Sequence, residues 1–388
     1  VIFPAADLSS IEPKPTALFS ATASASYANS WTSINGWSTP LVYTKAEEEY
    51  VSLTKRAAVA DFGSLWRYIV RGGAAPAFLA RVTTAPLLNL ELGESARGLI
   101  LSSAGGVVDL IDVARLGADM YLLTCSRPHA RRMQLAARGV DAMVEDITGR
   151  VAALAIIGPE ARDVAAAAGV DAASEHLAAQ TVVRGIETAA RPINVGLQPG
   201  VEIIYPYEEA LTLWERVRRA ASPSPAGLSA LEILRIESGV PRLGVDFIGA
   251  DDATKSEVVR TPEALGLPHL APVNRAWFNG RRALLKSGHS SHRSLHVLAL
   301  EGEEVNVGAS ILSNGAPVGR ITSAAFSPRY KRVVAFADLA VGAEQKSLEA
   351  TTTENEEGRV KARLLETAES ALAEAFRATL VETTESRR

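Results

Sequence analysis

Charged and apolar residues alternate at helical spacing from Glu47 to Ala58, which predicts a helix there. Asp61-Phe62-Gly63-Ser64 breaks the pattern, and Trp66 to Val70 reads as a strand. Ala74 to Val82 is a short helix. Gly105-Gly106 makes a tight connection within a hairpin, and Val107 to Ala114 and Met120 to Cys125 read as paired strands. Pro128 to Ala137 is helical after its first turn, where proline is tolerated. Val151 to Ile157 is a buried strand, and Gly158-Pro159 turns the chain into a helix from Glu160 to Ala168. This succession predicts an α+β fold rather than a doubly wound nucleotide fold.

Further on, Val201 to Tyr205 is a strand ended by Pro206, Glu208 to Ala221 is a long amphipathic helix, and Ala230 to Ser238 is a shorter one. The proline-led helix after this strand parallels the Gly-Pro-led helix after the earlier one, which suggests an internal duplication. Beyond about Ser287 the character changes. Leu295 to Leu300, Ile321 to Phe326 and Val333 to Ala337 are strand-like and separated by turn signals such as Asn314-Gly315, so this region predicts a small β-rich module. The expected organisation is an N-terminal arm (1–45), a main domain (46–286), a barrel-like module (287–345) and a charged tail (346–388). In the tail, Val360 to Ala375 is expected to be helical and Glu382 to Arg388 to fray.

The chain has 388 residues, 47% of them hydrophobic, enough for two or three domains. Its formal charge of -4 gives no electrostatic reason to expect nucleic acid. Cys125 is the only cysteine, so intrachain disulfides are impossible and a cysteine-built metal site is not expected. A reducing cytoplasm suits that composition. Val1 to Leu8 is interrupted by Pro4 and Asp7 and does not read as a signal peptide, and no stretch is long enough for a membrane span. The histidines (His129, His176, His269, His289, His292 and His296) form no ligand pattern along the chain. A Gly-x-Ser-x-Gly turn, a Gly-x-Gly-x-x-Gly fingerprint and a phosphate loop are all absent.

Several segments, in order, carry a family resemblance. They are Ala60-Asp61-Phe62-Gly63-Ser64, Gly105-Gly106-Val107-Val108-Asp109, Glu145-Asp146-Ile147-Thr148, Ala153 through Gly158-Pro159, and Gly200-Val201-Glu202-Ile203. Leu234 through Asp246 follows, then Pro262 through Leu284, then Gly319 through Pro328. Together they span roughly residues 45 to 340, and the chain resembles the glycine-cleavage T-protein superfamily. The resemblance implies a folate-binding domain of pseudo-repeated halves around a central channel, closed by a small C-terminal barrel. It also implies tetrahydrofolate as cofactor.

Glu202 stands on an apolar strand where a carboxylate needs a partner. In the family this position holds the pterin, whose adjacent N–H groups a carboxylate accepts side by side. A structural arginine is the competing partner. The folate reading fails if Glu202 faces solvent, or is locked to a protein cation with no room for a pterin ring. Asp109 lies where family members often carry two acids, one of them near the folate N5; here Leu110 takes the second place, and Asp112 shares its strand parity. Either acid would stabilise positive charge at the transferred carbon. Cys125 replaces a family asparagine and Leu231 a folate-contacting arginine. Arg97 replaces a tyrosine; it reads as a surface arginine near Glu94 or, if it enters the channel, as a planar fork that suits a carboxylated substrate. Arg235, Arg242 and Tyr205 are further candidates near the cofactor, although Arg235 reads first as tying its helix to a neighbouring carboxylate or carbonyl, with ligand contact second.

The expected activity is transfer of a methyl group from a small O-, N- or S-methyl donor, carboxylated if Arg97 reads it, to N5 of tetrahydrofolate. A poor leaving atom needs a proton, for which Tyr205, Tyr207 and the N-terminal aromatics are sources; a cationic donor would instead use Trp31, Trp37 or Trp66. The departures at 97, 110, 125 and 231 make a lipoyl-linked aminomethyl substrate the least expected. A non-folate ligand, or a non-catalytic folate module, is the alternative. No metal, nucleic-acid or membrane partner is expected, and a homodimer is left open.

Overall fold

The computed structural model describes residues 12–87, 90–170, 179–254, 259–275, 277–286, 292–302, 305–352 and 358–374. His176, His289 and the fraying end at 382–388 lie outside them. In chain order the elements begin with β1 (Lys14–Pro15), α1 (Phe19–Ala25), β2 (Ser30–Ile34), β3 (Trp37–Val42), α2 (Ala46–Lys55) and β4 (Ala58–Asp61). Next come β5 (Trp66–Arg71), α3 (Ala75–Val82), β6 (Ser95–Leu101), β7 (Val107–Gly117), β8 (Met120–Cys125), α4 (Ala130–Ala136) and β9 (Met143–Asp146). Then follow β10 (Val151–Ile157), α5 (Ala161–Ala167), β11 (Ala179–Val183), β12 (Ile186–Val195), β13 (Gln198–Pro206), α6 (Ala210–Ala221), β14 (Ser224–Pro225) and α7 (Leu228–Ser238). After α8 (Arg281–Lys286), the remaining strands are β15 (Arg293–Leu300), β16 (Ser310–Ser313), β17 (Ala316–Ser327), β18 (Arg332–Ala340), β19 (Leu348–Thr351) and β20 (Arg359–Leu364).

One mixed sheet has the order β11-β12-β13-β10-β4-β14, a second has the order β6-β7-β8-β5-β9, and the last six strands close a barrel. β10 reads Val-Ala-Ala-Leu-Ala-Ile-Ile because both its faces are covered. Leu154 and Ile156 pack with α5 and α6, while Ala155 and Ile157 pack against α2 and α7. Gly158 follows at φ +128°, and a Cβ there would lie 2.4 Å from Arg56 O, so only glycine passes. The expected arm is a small sheet, β1-β3-β2, whose Trp37 meets Trp66 edge-on at 6.3 Å.

The two main sheets face each other over Ile69, Ala114, Leu122, Ala153 and Ile204. A separate core joins Leu99 and Leu101 of β6 to Ile236 of α7 and to Val334 and Phe336 of the barrel. Two sequence expectations change. Val360–Ala375 is not one helix: β20 occupies Arg359–Leu364, and only 368–374 is helical among the described residues. The barrel therefore runs past residue 345, because β19 and β20 are needed to close it onto β15 and β16. Among the described residues, no helix is long and apolar enough to cross a membrane.

Candidate functional site at the sheet junction

Strand register builds the site. Arg97 of β6 stands opposite Asp112 of β7, Asp112 opposite Thr124 of β8, and Thr124 opposite Arg67 of β5. These side chains share one face of the five-stranded sheet, the face turned toward the six-stranded sheet, because they alternate with inward apolar residues on the other side. Opposite them, Arg191 of β12 stands beside Glu202 of β13. The result is a polar row lying just beyond the apolar contact between the sheets.

The row is tightly paired at its centre. Arg67 Nη2 lies 2.6 Å from Glu202 Oε1, and Arg191 Nε lies 2.5 Å from Glu202 Oε2. Glu202 is fully buried and the two guanidiniums nearly so. Burial pushes the Glu202 carboxyl up, but Arg191 and Arg67 outweigh it and hold its pKa at about 2. Burial likewise pulls Arg191 down, while Glu202 and Asp112 together raise it further. At the other end Arg97 is half-buried, 3.5 Å from Asp112 and 3.4 Å from Glu369, which also pairs with His269 at 3.0 Å. Asp112 keeps 38% of its side chain exposed, so this end of the row is open.

Of the residues singled out by sequence, the fold brings Arg97, Asp112 and Glu202 into this row. Glu202 is not the bare carboxylate that pterin recognition asks for: both oxygens are engaged by protein cations, the competing arrangement. Asp109 lies on the opposite face of β7. It is fully buried and its Oδ2 accepts the N–H groups of Ser126 and Arg127 at 3.0 Å each, so it does not meet Asp112. Cys125 shares that hidden face, packed with Ile111 and Met133, and Thr124 is the β8 residue that meets the junction. Tyr205 points into the core under α5 and α6, because residues of odd number on β13 face those helices.

Arg235 ties structure together. It pairs with Glu232 (2.8 Å) and Asp246 (2.6 Å), donates to Val240 O (2.8 Å) and lies over the Phe336 ring. Arg242 pairs with Glu232 at 2.7 Å. Arg235 therefore joins α7, the loop after it and the barrel, while Arg242 joins that loop to α7. Among the described residues the cation–π contacts fall on Tyr121, Phe336 and Tyr330, none on Trp31, Trp37 or Trp66. Sequence reasoning missed Arg67, Arg191 and Thr124. The first two carried the signal that exposed Glu202, a charge in an apolar strand, but their pairing required the register.

Known proteins place this fold. The GCVT N-terminal domain model matches residues 21–261, and the glycine cleavage T-protein C-terminal barrel domain model matches residues 293–368. The chain belongs to the glycine-cleavage T-protein family. An aminomethyltransferase of Thermus thermophilus is 30% identical over 316 residues, covering 80% of this chain and 87% of that protein. One from Thermotoga maritima is 26% identical over 313 residues, 78% of this chain and 83% of that protein. The crystal structure of glycine cleavage system aminomethyltransferase T from Bartonella henselae has the same fold, with a TM-score of 0.81 at 22% identity, over 92% of this chain and 98% of that one. Within this T-protein fold, the polar row lies at the junction of the two sheets.

Proposed function

We propose that the chain is a tetrahydrofolate-dependent one-carbon transferase that moves a methyl group between a small O-, N- or S-methyl compound and folate. The reading is supported by one observation above all. In a T-protein fold, Asp112 and Arg97 form a register-paired, half-open couple at the sheet junction. Behind them Arg67, Glu202 and Arg191 make a rigid charged floor. Thr124 Oγ1 and Arg67 Nε are buried in that row with no hydrogen-bond partner among the described residues, which fits a ligand presenting both donors and acceptors there.

Tetrahydrofolate, when bound, would supply N5 as the methyl acceptor, and the proton lost from N5 would balance the one gained by the demethylated oxygen, nitrogen or sulfur of the donor. Asp112 accepts a ring N–H or balances positive charge at the transferred carbon. Thr124 offers a hydroxyl to a ring edge. Arg97, which Asp112 meets at Nε and Glu369 at Nη1, turns its planar fork from these longer contacts to the carboxylate of a donor. Glu202 acts through the arginines it fixes, which keeps the floor from rearranging as the reactants align.

A second reading, a non-folate ligand, draws support from the engagement of both Glu202 oxygens and from the apolar Leu110 beside the row. Equilibrium titration of the purified chain with tetrahydrofolate separates the two. Saturable binding that weakens in Asp112→Asn supports folate; no binding by the intact chain favours the second reading. Incubation with folate and a panel of donors, aminomethyl as well as N-methyl amino acid and methoxylated aromatic acid, then reads the product. Formation of methylene-folate from the aminomethyl donor alone would replace methyl transfer by the activity for which the curated relatives are named.

A further inference from the structure

Behind the five-stranded sheet, in the apolar core under α3 and α4, Asp109, Cys125 and His129 come together. One ligand atom from each lies within 4.8 Å of the others, and all three side chains are buried. Cys125 ends β8, the turn after it wraps around Asp109, and His129 immediately precedes α4. Asp109 Oδ2 is well served, by Ser126 and Arg127 N–H groups and by His129 Nε2 at 3.0 Å. Its Oδ1 is buried and has no hydrogen-bond partner among the described residues. A carboxyl oxygen left bare in an apolar core is costly, so such an atom points to something that it is built to hold.

We propose that Asp109 Oδ1, Cys125 Sγ and His129 Nε2 form a binding site for zinc or a similar first-row dication. Thiolate, imidazole and carboxylate are the borderline ligand set that zinc accepts, at about 2.3, 2.0–2.1 and 2.0–2.2 Å. The ligands come from two paired strands and the residue leading into a helix, so closing onto an ion needs only side-chain movement and a small shift of the turn. Binding releases one proton: the Cys125 thiol loses it to solvent as the metal–sulfur bond forms. His129 would bind through Nε2, turned from Asp109 to the metal, with its ring proton on Nδ1. This site lies on the opposite face of the sheet from Arg97 and Asp112, so it fixes the turn after β8 and does not depend on the folate reading.

The site is enclosed, so the test unfolds the purified full chain and refolds it with Co²⁺ as an optical substitute for zinc. One equivalent should bind, with a near-ultraviolet thiolate-to-cobalt band and intense visible bands of low-coordinate geometry. Cys125→Ser should lose the near-ultraviolet band, and His129→Gln should weaken binding at least tenfold. Zn²⁺ should raise the melting temperature of the wild-type chain in a concentration-dependent way and leave Cys125→Ser unmoved. Absence of saturable uptake, or the same bands and shift in Cys125→Ser, overturns the site. If that variant does not refold, X-ray absorption at the cobalt edge of the wild-type chain decides. A sulfur neighbour supports the site, and a shell of nitrogen and oxygen alone overturns it.

Discussion

Arg67 reaches from the five-stranded sheet to set its Nη2 2.6 Å from Glu202 Oε1 on the six-stranded sheet. The pair is buried between two layers that otherwise meet through aliphatic side chains, and Arg191 takes the second oxygen of the same carboxylate. Two guanidiniums and one carboxylate leave an excess positive charge at the centre of the row, and the field of Asp112 on Arg191 offsets part of it. The open carboxylate of the site is thus coupled electrostatically to its closed floor.

Removing Glu202 should be severe. Glu202→Ala leaves two buried guanidiniums without their anion and is expected to cost about 3–5 kcal/mol. An apolar replacement of all three, Arg67→Met with Glu202→Leu and Arg191→Met, should recover most of the loss. Urea denaturation of the single and combined variants measures both effects; an unchanged midpoint for Glu202→Ala would show that the carboxylate does not hold the sheets.

The same carboxyl sets an acid limit. Its pKa is about 2 in the folded chain against an ordinary 4.5, so its contribution to stability is fully present above about pH 4.5. That contribution is lost progressively as pH falls from there toward 2, since the unfolded chain takes up the proton first. Glu202→Gln should flatten this segment of the stability–pH curve. Equal acid slopes in wild type and Glu202→Gln, measured by denaturation at a series of pH values, would contradict it.

At the open end the effects should fall on turnover. Asp112→Asn is expected to lower kcat on the order of 10²-fold, with a stability change within about 1 kcal/mol. Arg97→Leu should raise KM for a carboxylated donor about 10- to 100-fold and leave an uncharged donor unaffected. Product formation with paired donors checks both. A uniform loss for charged and uncharged donors would remove Arg97 from carboxylate recognition.

A second buried carboxyl should act as a staple. Glu237 of α7 accepts from Tyr50 of α2 at 3.0 Å and from Ser327 at the end of β17 at 2.5 Å. Burial raises its pKa although Ser327 and Tyr50 pull it down, so the folded chain holds this proton more firmly than the unfolded one does. The linkage sign is opposite to that of Glu202: the contribution is full below the ordinary carboxyl pKa and is lost as pH rises through the raised value. Tyr50→Phe should cost about 1–2 kcal/mol. Glu237→Gln should remove the loss on the alkaline side, as thermal denaturation across the mildly acidic to neutral range would show.

Much of the fold was legible because local chemistry dictated it. The apolar run of β10, the Gly158 turn and the helical spacing before Ala58 are requirements of the backbone and of one covered face. The 360–375 region misled because its Ala-rich, charged composition fits a helix, whereas closing the barrel demanded a strand at Arg359–Leu364. Glu202 was visible as a charge out of place, yet its partners Arg67 and Arg191 lie far off in sequence or on a neighbouring strand.

By itself, the sequence determined the alternation of elements, the family and the presence of charges that had to be buried. Tertiary structure decided which charges meet. Strand parity sends Asp112 to the junction and Asp109 to the hidden core, although they share one strand, because a bare odd-or-even difference puts neighbouring side chains on opposite faces of a sheet. The same rule turns Thr124 inward to the row and Cys125 away from it, where it finds His129.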